Sequence, residues 1–255
     1  MRLLAILAMF LGKIIACSAP VTVKRAAFTL VLTLCALVSP AHSATFGLKP
    51  VSLTIDAKHP IAQESLSSLS ARRTIFDVAV KTWMQVKNQD VLGPASGLVV
   101  VPPIFAIDPY DTVPLQAAFR GTVPVSAVEA SYKLILTEVL PGGSTPSPSA
   151  RVLSAPLFVP AVPAIGTASF TLKSTGAAQA DLTIVNAANN HVYIGKLSVQ
   201  SGGRSVYDGK LAAYILAGST RTLSLRLSAP LGSEAQLEFV DDKQQTESAS
   251  AVVTK

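Results

Sequence analysis

Two apolar stretches within residues 129–160 constrain the fold of this chain more than any other feature. In the first, Tyr132, Leu134 and Leu136 alternate with Lys133, Ile135 and Thr137, as in a strand with one face buried and the other partly covered. The second stretch, residues 151–159, has apolar side chains on both faces. Residues 141–149 between them are rich in proline, glycine and serine, which is typical of a connecting loop. We therefore predict a pair of strands. Pro156 lies at a sheet edge or at a break in pairing, because proline has no amide hydrogen to donate.

Short alternating segments separated by turns recur along the rest of the chain, at the spacing of an all-β sandwich. Residues 56–73 are polar and are predicted to be a loop or hairpin. The C-terminal residues after Asp242 are predicted to form a polar tail. Trp83 is predicted to lie in a core. The further predicted strands are residues 45–55, 74–86, 98–101, 113–119, 168–172, 180–185, 192–199, 211–216, 222–227 and 235–240.

The first 43 residues have the pattern of an export signal. They contain four basic and no acidic residues, and an apolar run at 26–38 follows Lys24 and Arg25 and precedes Pro40. This order of parts predicts a secretory signal cleaved after Ser43. Cys17 lies in an alternative lipoprotein-type cleavage box. After Ser43 we predict a first domain at 44–160, a linker at 161–166 and a second domain at 167–255.

Charge and cysteine content narrow the function classes. Removing the four basic residues of the signal from the total of 21 leaves 17 basic against 15 acidic residues, a net charge of +2. There is no clustered basic stripe with interleaved aromatics, so no nucleic-acid partner is predicted. Both cysteines, Cys17 and Cys35, precede the cleavage site, so the mature chain is expected to have no disulfide. Once the signal is cleaved, no stable membrane insertion is expected.

Residues for catalysis or metal binding are scarce. After the signal only His59 and His191 remain, and both are predicted to be surface or turn histidines. Asp241 and Asp242 are predicted to be a solvated pair. No serine lies in a nucleophile elbow, and neither glycine pair opens a phosphate-binding helix. The sequence predicts no enzyme, no metal and no cofactor.

Several segments together resemble the periplasmic chaperones of the chaperone-usher pilus pathway, in the form of their archaic branch. The strand pair reads EASYKLILTEV, then a loop, then SAPLFV. The other segments, in the order expected for the family, are LKPVSLTI, VKTWMQVKNQDVL, LVVVPPIFAIDPYDT, LTIVNAANNHVYIGKLSV and AAYILAGSTRTLSL. The resemblance implies two immunoglobulin-like β-sandwich domains in a boomerang arrangement. It also implies a protein that lends a strand to an incomplete pilus subunit and delivers that subunit to an outer-membrane usher.

The resemblance implies residues for this role in the second strand of the pair. The donor-strand residues are predicted to be Arg151, Val152, Leu153, Ala155 and Leu157. The alternative is that this strand only closes its own sheet.

The resemblance also implies a basic group that holds the subunit's terminal carboxylate. Ser52 and Gln116 stand where many members of the family have arginine. The predicted carboxylate anchors are therefore Arg151, Lys133 and Lys49.

Two other classes of function remain open from the sequence. A structural pilus subunit or surface adhesin would also contain immunoglobulin-like domains. A periplasmic ligand-binding module would require an aromatic-lined pocket, whereas aromatic residues make up 6% of the chain.

The signal assignment predicts the mature N-terminus. Protein purified from the periplasm should begin at or near Ala44 when its N-terminal residues are sequenced. A lipid-modified Cys17 would contradict this prediction and favour the lipoprotein alternative.

Overall fold

The computed structural model describes residues 46–140 and 150–254, which belong to one compact unit, Ala44–Lys255. The predictions for the signal, the two cysteines and the loop at 141–149 lie outside the described residues. Within those ranges, no helix is long and apolar enough to cross a membrane. The strands are β1 (Phe46–Lys49), β2 (Leu53–Thr54), β3 (Ile61–Ser68), β4 (Thr74–Val86), β5 (Gln89–Pro94), β6 (Leu98–Val101), β7 (Ile104–Ile107), β8 (Thr112–Phe119), β9 (Ala130–Val139), β10 (Val152–Val159), β11 (Ala168–Gly176), β12 (Gln179–Asn186), β13 (Val192–Ser201), β14 (Arg204–Ile215), β15 (Thr220–Arg226), β16 (Glu234–Val240) and β17 (Thr246–Thr254).

The first ten strands form a sandwich of two sheets. One sheet has the order β1-β3-β8-β6, and the other has the order β2-β10-β9-β4-β5 with β7 also paired to β4. Their facing side chains form one core that includes Phe76, Leu115, Leu136 and Leu157. The predicted all-β fold with immunoglobulin-like sandwiches is confirmed.

The predicted strand at residues 45–55 is interrupted at Pro50, where the chain changes sheet. β1 pairs antiparallel with β3 in the first sheet. After Pro50, β2 pairs parallel with β10 in the second sheet. The interruption arises because proline cannot donate to a ladder, so the chain leaves one sheet before joining the next.

The prediction of a loop or hairpin at residues 56–73 is wrong over its middle part, where β3 is a full strand of the first sheet. Ala62, Glu64, Leu66 and Ser68 alternate inward and are buried. The apolar signal is weak because two of these four inward positions hold polar residues. Pairing with β8 on one side and β1 on the other decides the structure here.

The remaining strands form a second sandwich from a single folded sheet of order β14-β13-β16-β17-β11-β12-β15. Its two end strands, β14 and β15, contact each other, so the sheet closes around its own core. That core includes Leu172, Leu182, Ile184 and Leu197. The predicted polar tail is instead strand β17, which lies inside the sheet between β16 and β11.

Glu64 is a carboxyl group buried inside the first sandwich. The residue is 2% exposed, and neither carboxylate oxygen has a hydrogen-bond partner of good geometry among the described residues. Burial raises its pKa to about 7, and the nearby amides of Ser65 and Lys49 offset only part of that effect. The folded protein therefore keeps the Glu64 proton up to about pH 7.

We predict that Glu64→Gln makes the protein more stable than wild type at neutral and higher pH. The unfolded chain releases this proton near the ordinary pKa of 4.5, so wild-type stability falls as pH rises from there through about 7. At pH 8 the variant should unfold with a free energy about 2–3 kcal/mol higher than wild type, and below pH 4.5 the two should converge. Urea unfolding at several pH values measures this. Glu234→Gln, at an exposed position, is the control, and parallel profiles for wild type and Glu64→Gln would contradict the prediction.

Candidate functional site

β10 has an open edge over most of its length. It pairs with β9 from Val152 to Val159. On its other side, among the described residues, it pairs with β2 only at Leu157 and Phe158. The backbone from Val152 to Pro156 is therefore available to a further strand on that side.

The hydrogen bonds at the two ends of β10 show which residues direct their backbone groups toward this open side. The Arg151 carbonyl accepts from the Glu138 amide of β9 at 2.8 Å, whereas the Phe158 carbonyl accepts from Ile55 at 2.9 Å on the opposite side. Backbone groups in an antiparallel pair alternate in direction from one residue to the next. Val152, Ser154 and Pro156, which have the same parity as Phe158, therefore point their backbone groups to the open edge.

The side chains of the predicted donor residues divide between two faces. Ala155 and Leu157 are buried in the core of their own sandwich, and Leu153 packs against that core. Val152 projects from the other face and is 59% exposed. The side chains of Ala155 and Leu157 are buried, so they have no surface to offer a partner. At these two positions the strand could contribute only backbone groups, whereas Val152 also presents an exposed side chain. Arg151 lies over the ring of Phe46 at 5.3 Å.

A cleft between the two sandwiches begins at this same edge. It is a cavity of about 430 Å³, a volume sufficient for a small ligand or the end of a peptide. Ser154 and Pro156 of β10 line it on one side, and Tyr193 and Tyr214 of the second sandwich on the other. A strand added to β10 would thus reach the cleft without a change of direction.

Two cations and one carboxylate lie in the cleft. Lys133 on β9, directly opposite Pro156, places Nζ 2.9 Å from Asp90 Oδ2 and 4.0 Å from the ring centre of Trp83. Arg221 on β15 places Nη1 2.9 Å from Asp90 Oδ1. Burial acts to raise the pKa of Asp90, but the hydrogen bond and charge of Lys133 outweigh it, so that the pKa is lowered. With two positive charges and one negative charge, this end of the cleft suits an anion.

Of the three predicted carboxylate anchors, only Lys133 lies in the cleft. Lys49 is exposed on β1 opposite Ser65, and neither it nor Arg151 lines the cavity. Arg221 was not predicted, because it belongs to the other sandwich and no feature of its own strand relates it to Lys133. Gln116 is exposed on β8, and the Ser52 hydroxyl lies 3.4 Å from Asp242.

A second charged cluster joins the two sandwiches near the C-terminal end of β10. His191 Nδ1 lies 2.8 Å from Glu129 Oε2, and His191 Nε2 lies 3.1 Å from Asp242 Oδ2. The imidazole stacks on Phe158 with ring centres 3.7 Å apart. Both ring nitrogens are engaged by carboxylates, so the ring holds the sandwiches together rather than acting as a free base or ligand.

This cluster overturns two predictions. His191 is not a surface histidine, because its side chain is 14% exposed, and Asp242 is not solvated, because its side chain is 17% exposed. Burial alone would lower the pKa of His191, but Asp242 and Glu129 outweigh it and raise the pKa to about 9. The pKa of Asp242 is lowered, chiefly by its hydrogen bond to His191. The only sequence signal was the asparagine-rich turn before His191, whose amides bind the first sandwich and the segment after it: Asn189 Nδ2 donates to Ala127 and Pro163.

The β4–β5 hairpin makes a third contact between the sandwiches. Asn88 exchanges two hydrogen bonds with the backbone of Thr222, at 3.0 and 2.9 Å. Gln85 accepts from the Leu216 amide at 3.0 Å. Trp83 is buried as predicted, but it packs with Phe158 and Leu216 between the sandwiches rather than inside one of them.

Comparisons with known proteins identify the fold of this chain. No family model and no curated protein matches this chain. Among solved structures, the CsuC–CsuE chaperone–tip adhesion subunit complex from archaic chaperone-usher Csu pili of Acinetobacter baumannii matches with a TM-score of 0.57 and 20% identity, over 83% of this chain and 100% of that one. The E. coli chaperone DraB matches with a TM-score of 0.54 and 16% identity, over 82% and 97%. The Salmonella enterica SafA pilin–SafB chaperone complex gives 0.53 and 17%, over 82% and 96%. At these identities the likeness establishes the fold, and the chain has the fold of the pilus chaperones, as the resemblance in its sequence predicted.

We predict that His191→Gln loosens the contact between the sandwiches in a pH-dependent manner. The folded pKa of His191 is raised, so its contribution is complete below the unfolded value of 6.5 and is lost as pH rises through about 9. At pH 6 the variant should lose about 2 kcal/mol, and the difference from wild type should shrink by pH 10. Emission of Trp83, the one tryptophan of the chain, measured during urea unfolding reports on this contact. His59→Gln, at an exposed histidine, is the control, and a pH-independent loss in His191→Gln would contradict the prediction.

Proposed function

We propose that this protein is a periplasmic chaperone that lends the open edge of β10 to an incomplete pilus subunit and passes that subunit to an outer-membrane usher. The observation that carries the proposal is the unpaired backbone from Val152 to Pro156, which ends in a cleft with two cations. In strand addition, backbone hydrogen bonds supply most of the affinity and alternate side chains supply specificity. Neither step requires a catalytic group.

An open apolar edge requires a function because it is otherwise a site of aggregation. The exposed Val152 and half-exposed Leu153 lie at the end of β10 nearest the loop, where a partner strand would first pair. Pro156 limits this edge, because it offers a carbonyl but no amide. We infer that a partner strand pairs with the edge at Val152 and Ser154 and receives no hydrogen bond from the nitrogen of Pro156.

The cleft supports Lys133 and Arg221 as the groups that hold a subunit's terminal carboxylate. Each presents a charged donor within the cavity, and charge-assisted bonds to a carboxylate are stronger than neutral ones. Lys133 lies on β9 opposite Pro156 and its side chain lines the cleft, so it can bind the end of a strand that enters the cleft from the open edge. Arg221 comes from the second sandwich, so both domains would contribute to binding.

The likeness to solved chaperone–subunit complexes supports the same function, and the two alternatives have less support. A pilus subunit that depends on a donated strand would have an open core, whereas each sandwich here encloses a core of its own. For a ligand-binding module, Trp83, Tyr193 and Tyr214 do line the cleft, but the unpaired backbone of β10 beside them favours a strand as the partner. Export through the signal predicted before Ala44 would bring the chaperone to the periplasm.

We predict that Ser154→Pro prevents capture of a subunit without unfolding the chaperone. Ser154 is exposed, and proline is tolerated on an edge strand when the lost amide faces outward. A partner carbonyl would lose its donor and meet the pyrrolidine ring, which should weaken binding by about 10- to 100-fold. The measurement is co-purification from the periplasm with candidate pilus subunits of the same genome.

Ser154→Ala is the matched control, because it changes the same side chain but keeps the amide. It should retain subunit at the wild-type yield. Circular dichroism and a melting curve verify that both variants are folded. A folded Ser154→Pro that captures subunit as well as Ser154→Ala would contradict strand donation from β10.

A further inference from the structure

We propose that Asp90 is an internal competitor in the cleft, so that a partner's carboxylate binds Lys133 and Arg221 only by displacing it. This inference rests on the proposed function, since it concerns how that cleft selects its ligand. It assigns Asp90 a role in specificity. The aspartate lowers the affinity of the cleft for carboxylates in general, so that only a carboxylate at the end of a strand paired with β10 binds there.

The contacts of Asp90 are those that an incoming carboxylate would need. Its two oxygens are shared between the cations, with Oδ2 at 2.9 Å from Lys133 Nζ and Oδ1 at 2.9 Å from Arg221 Nη1. Gln85 Nε2 also donates to Oδ1 at 3.2 Å. A second carboxylate cannot take these donors at the same time, because like charges so close repel strongly in a partly buried site.

The accessibility of the three groups permits exchange. The side chain of Asp90 is 33% exposed, and those of Lys133 and Arg221 are 19% and 22% exposed. All three line the cavity that Ser154 opens into. Arg221 Nε is buried without an acceptor among the described residues, so the guanidinium has donor capacity that Asp90 does not use.

The backbone that carries Asp90 is held independently of its carboxylate. Asp90 lies in β5, next to the turn formed by Lys87 and Asn88, which both have positive φ. Asn88 fastens this turn to Thr222 through two hydrogen bonds. The Asp90 side chain can therefore leave the cations without the hairpin leaving the second sandwich.

Competition from Asp90 makes the cleft selective through effective concentration. A free carboxylate must displace Asp90 with its own affinity alone. A carboxylate at the end of a strand already paired with β10 is held near the cations at a high local concentration, so displacement becomes favourable. The cleft thus responds to a carboxylate and a paired strand together.

The test compares carboxylate binding by wild type and Asp90→Asn in the isolated protein. The probe is an N-acetylated peptide of alternating threonine and valine, made with either a free C-terminal carboxylate or a C-terminal amide. Trp83 emission is the readout, because Lys133 lies over its ring and moves when its partner changes. Asp90→Asn should bind the carboxylate peptide about tenfold more tightly than wild type, while affinity for the amide peptide stays unchanged.

Two controls separate competition from loosening of the hairpin. Asn88→Ala breaks the hairpin's bonds to Thr222 but keeps Asp90 between its cations, so it should give no gain. Arg221→Gln added to Asp90→Asn should abolish the gain.

Three results would overturn the proposal: no gain for Asp90→Asn, an equal gain for acid and amide peptides, or the same gain for Asn88→Ala. Asp90→Ser provides a second variant in case Asp90→Asn fails to fold, and loss of the fold in both would mean that Asp90 is needed for the structure. Failure of the proposed function is distinguishable, because the Ser154→Pro experiment measures capture of a subunit rather than carboxylate selectivity.

Discussion

The stacking of His191 on Phe158 is the contact on which the arrangement of the site depends. Phe158 lies at the end of β10, on the face turned away from its own core, and the second sandwich is held against it by the charges around the imidazole. The same strand carries the open edge at its other end. Because one short strand provides both the edge and the support for the second sandwich, the cleft lies directly beside the edge.

Many of the contacts between the sandwiches are hydrogen bonds and ion pairs between specific partners. Asn88 and Gln85 bind backbone groups of the second sandwich, and Glu129 would be a costly buried charge without His191. The apolar part of the contact includes Trp83, Phe158 and Leu216, with Tyr214 packed against them. Directional bonds thus set the relation between the sandwiches, while apolar burial stabilises each sandwich separately.

The open edge combines attraction for a partner with protection against unwanted pairing. Val152 and Ser154 present complete backbone groups, but Pro156 interrupts the row of amides after them. A short row of donors next to a cationic cleft favours a strand that ends in a carboxylate over a second copy of β10. Under the proposed function, this is the compromise expected of a sheet edge that binds one class of partner and avoids others.

Alternation along the chain was sufficient to predict most strands, because a half-buried strand repeats every two residues whatever its partners are. β4 and β6 have the predicted bounds, 74–86 and 98–101. β3 was missed because two of its inward positions hold glutamate and serine, and β17 because inward positions hold the small residues Ala249 and Ala251; in both cases the neighbouring strands decide the structure. Periodicity also could not choose the outward face of β10, since the strand is apolar on both faces: one covers its own core and the other supports the second sandwich at Phe158. The grouping of Lys133, Asp90 and Arg221 was beyond any local pattern. Lys133 and Asp90 come together through the order of strands β9, β4 and β5 in one sheet, and only the packing of the second sandwich against the first brings Arg221 of β15 within bonding distance of Asp90.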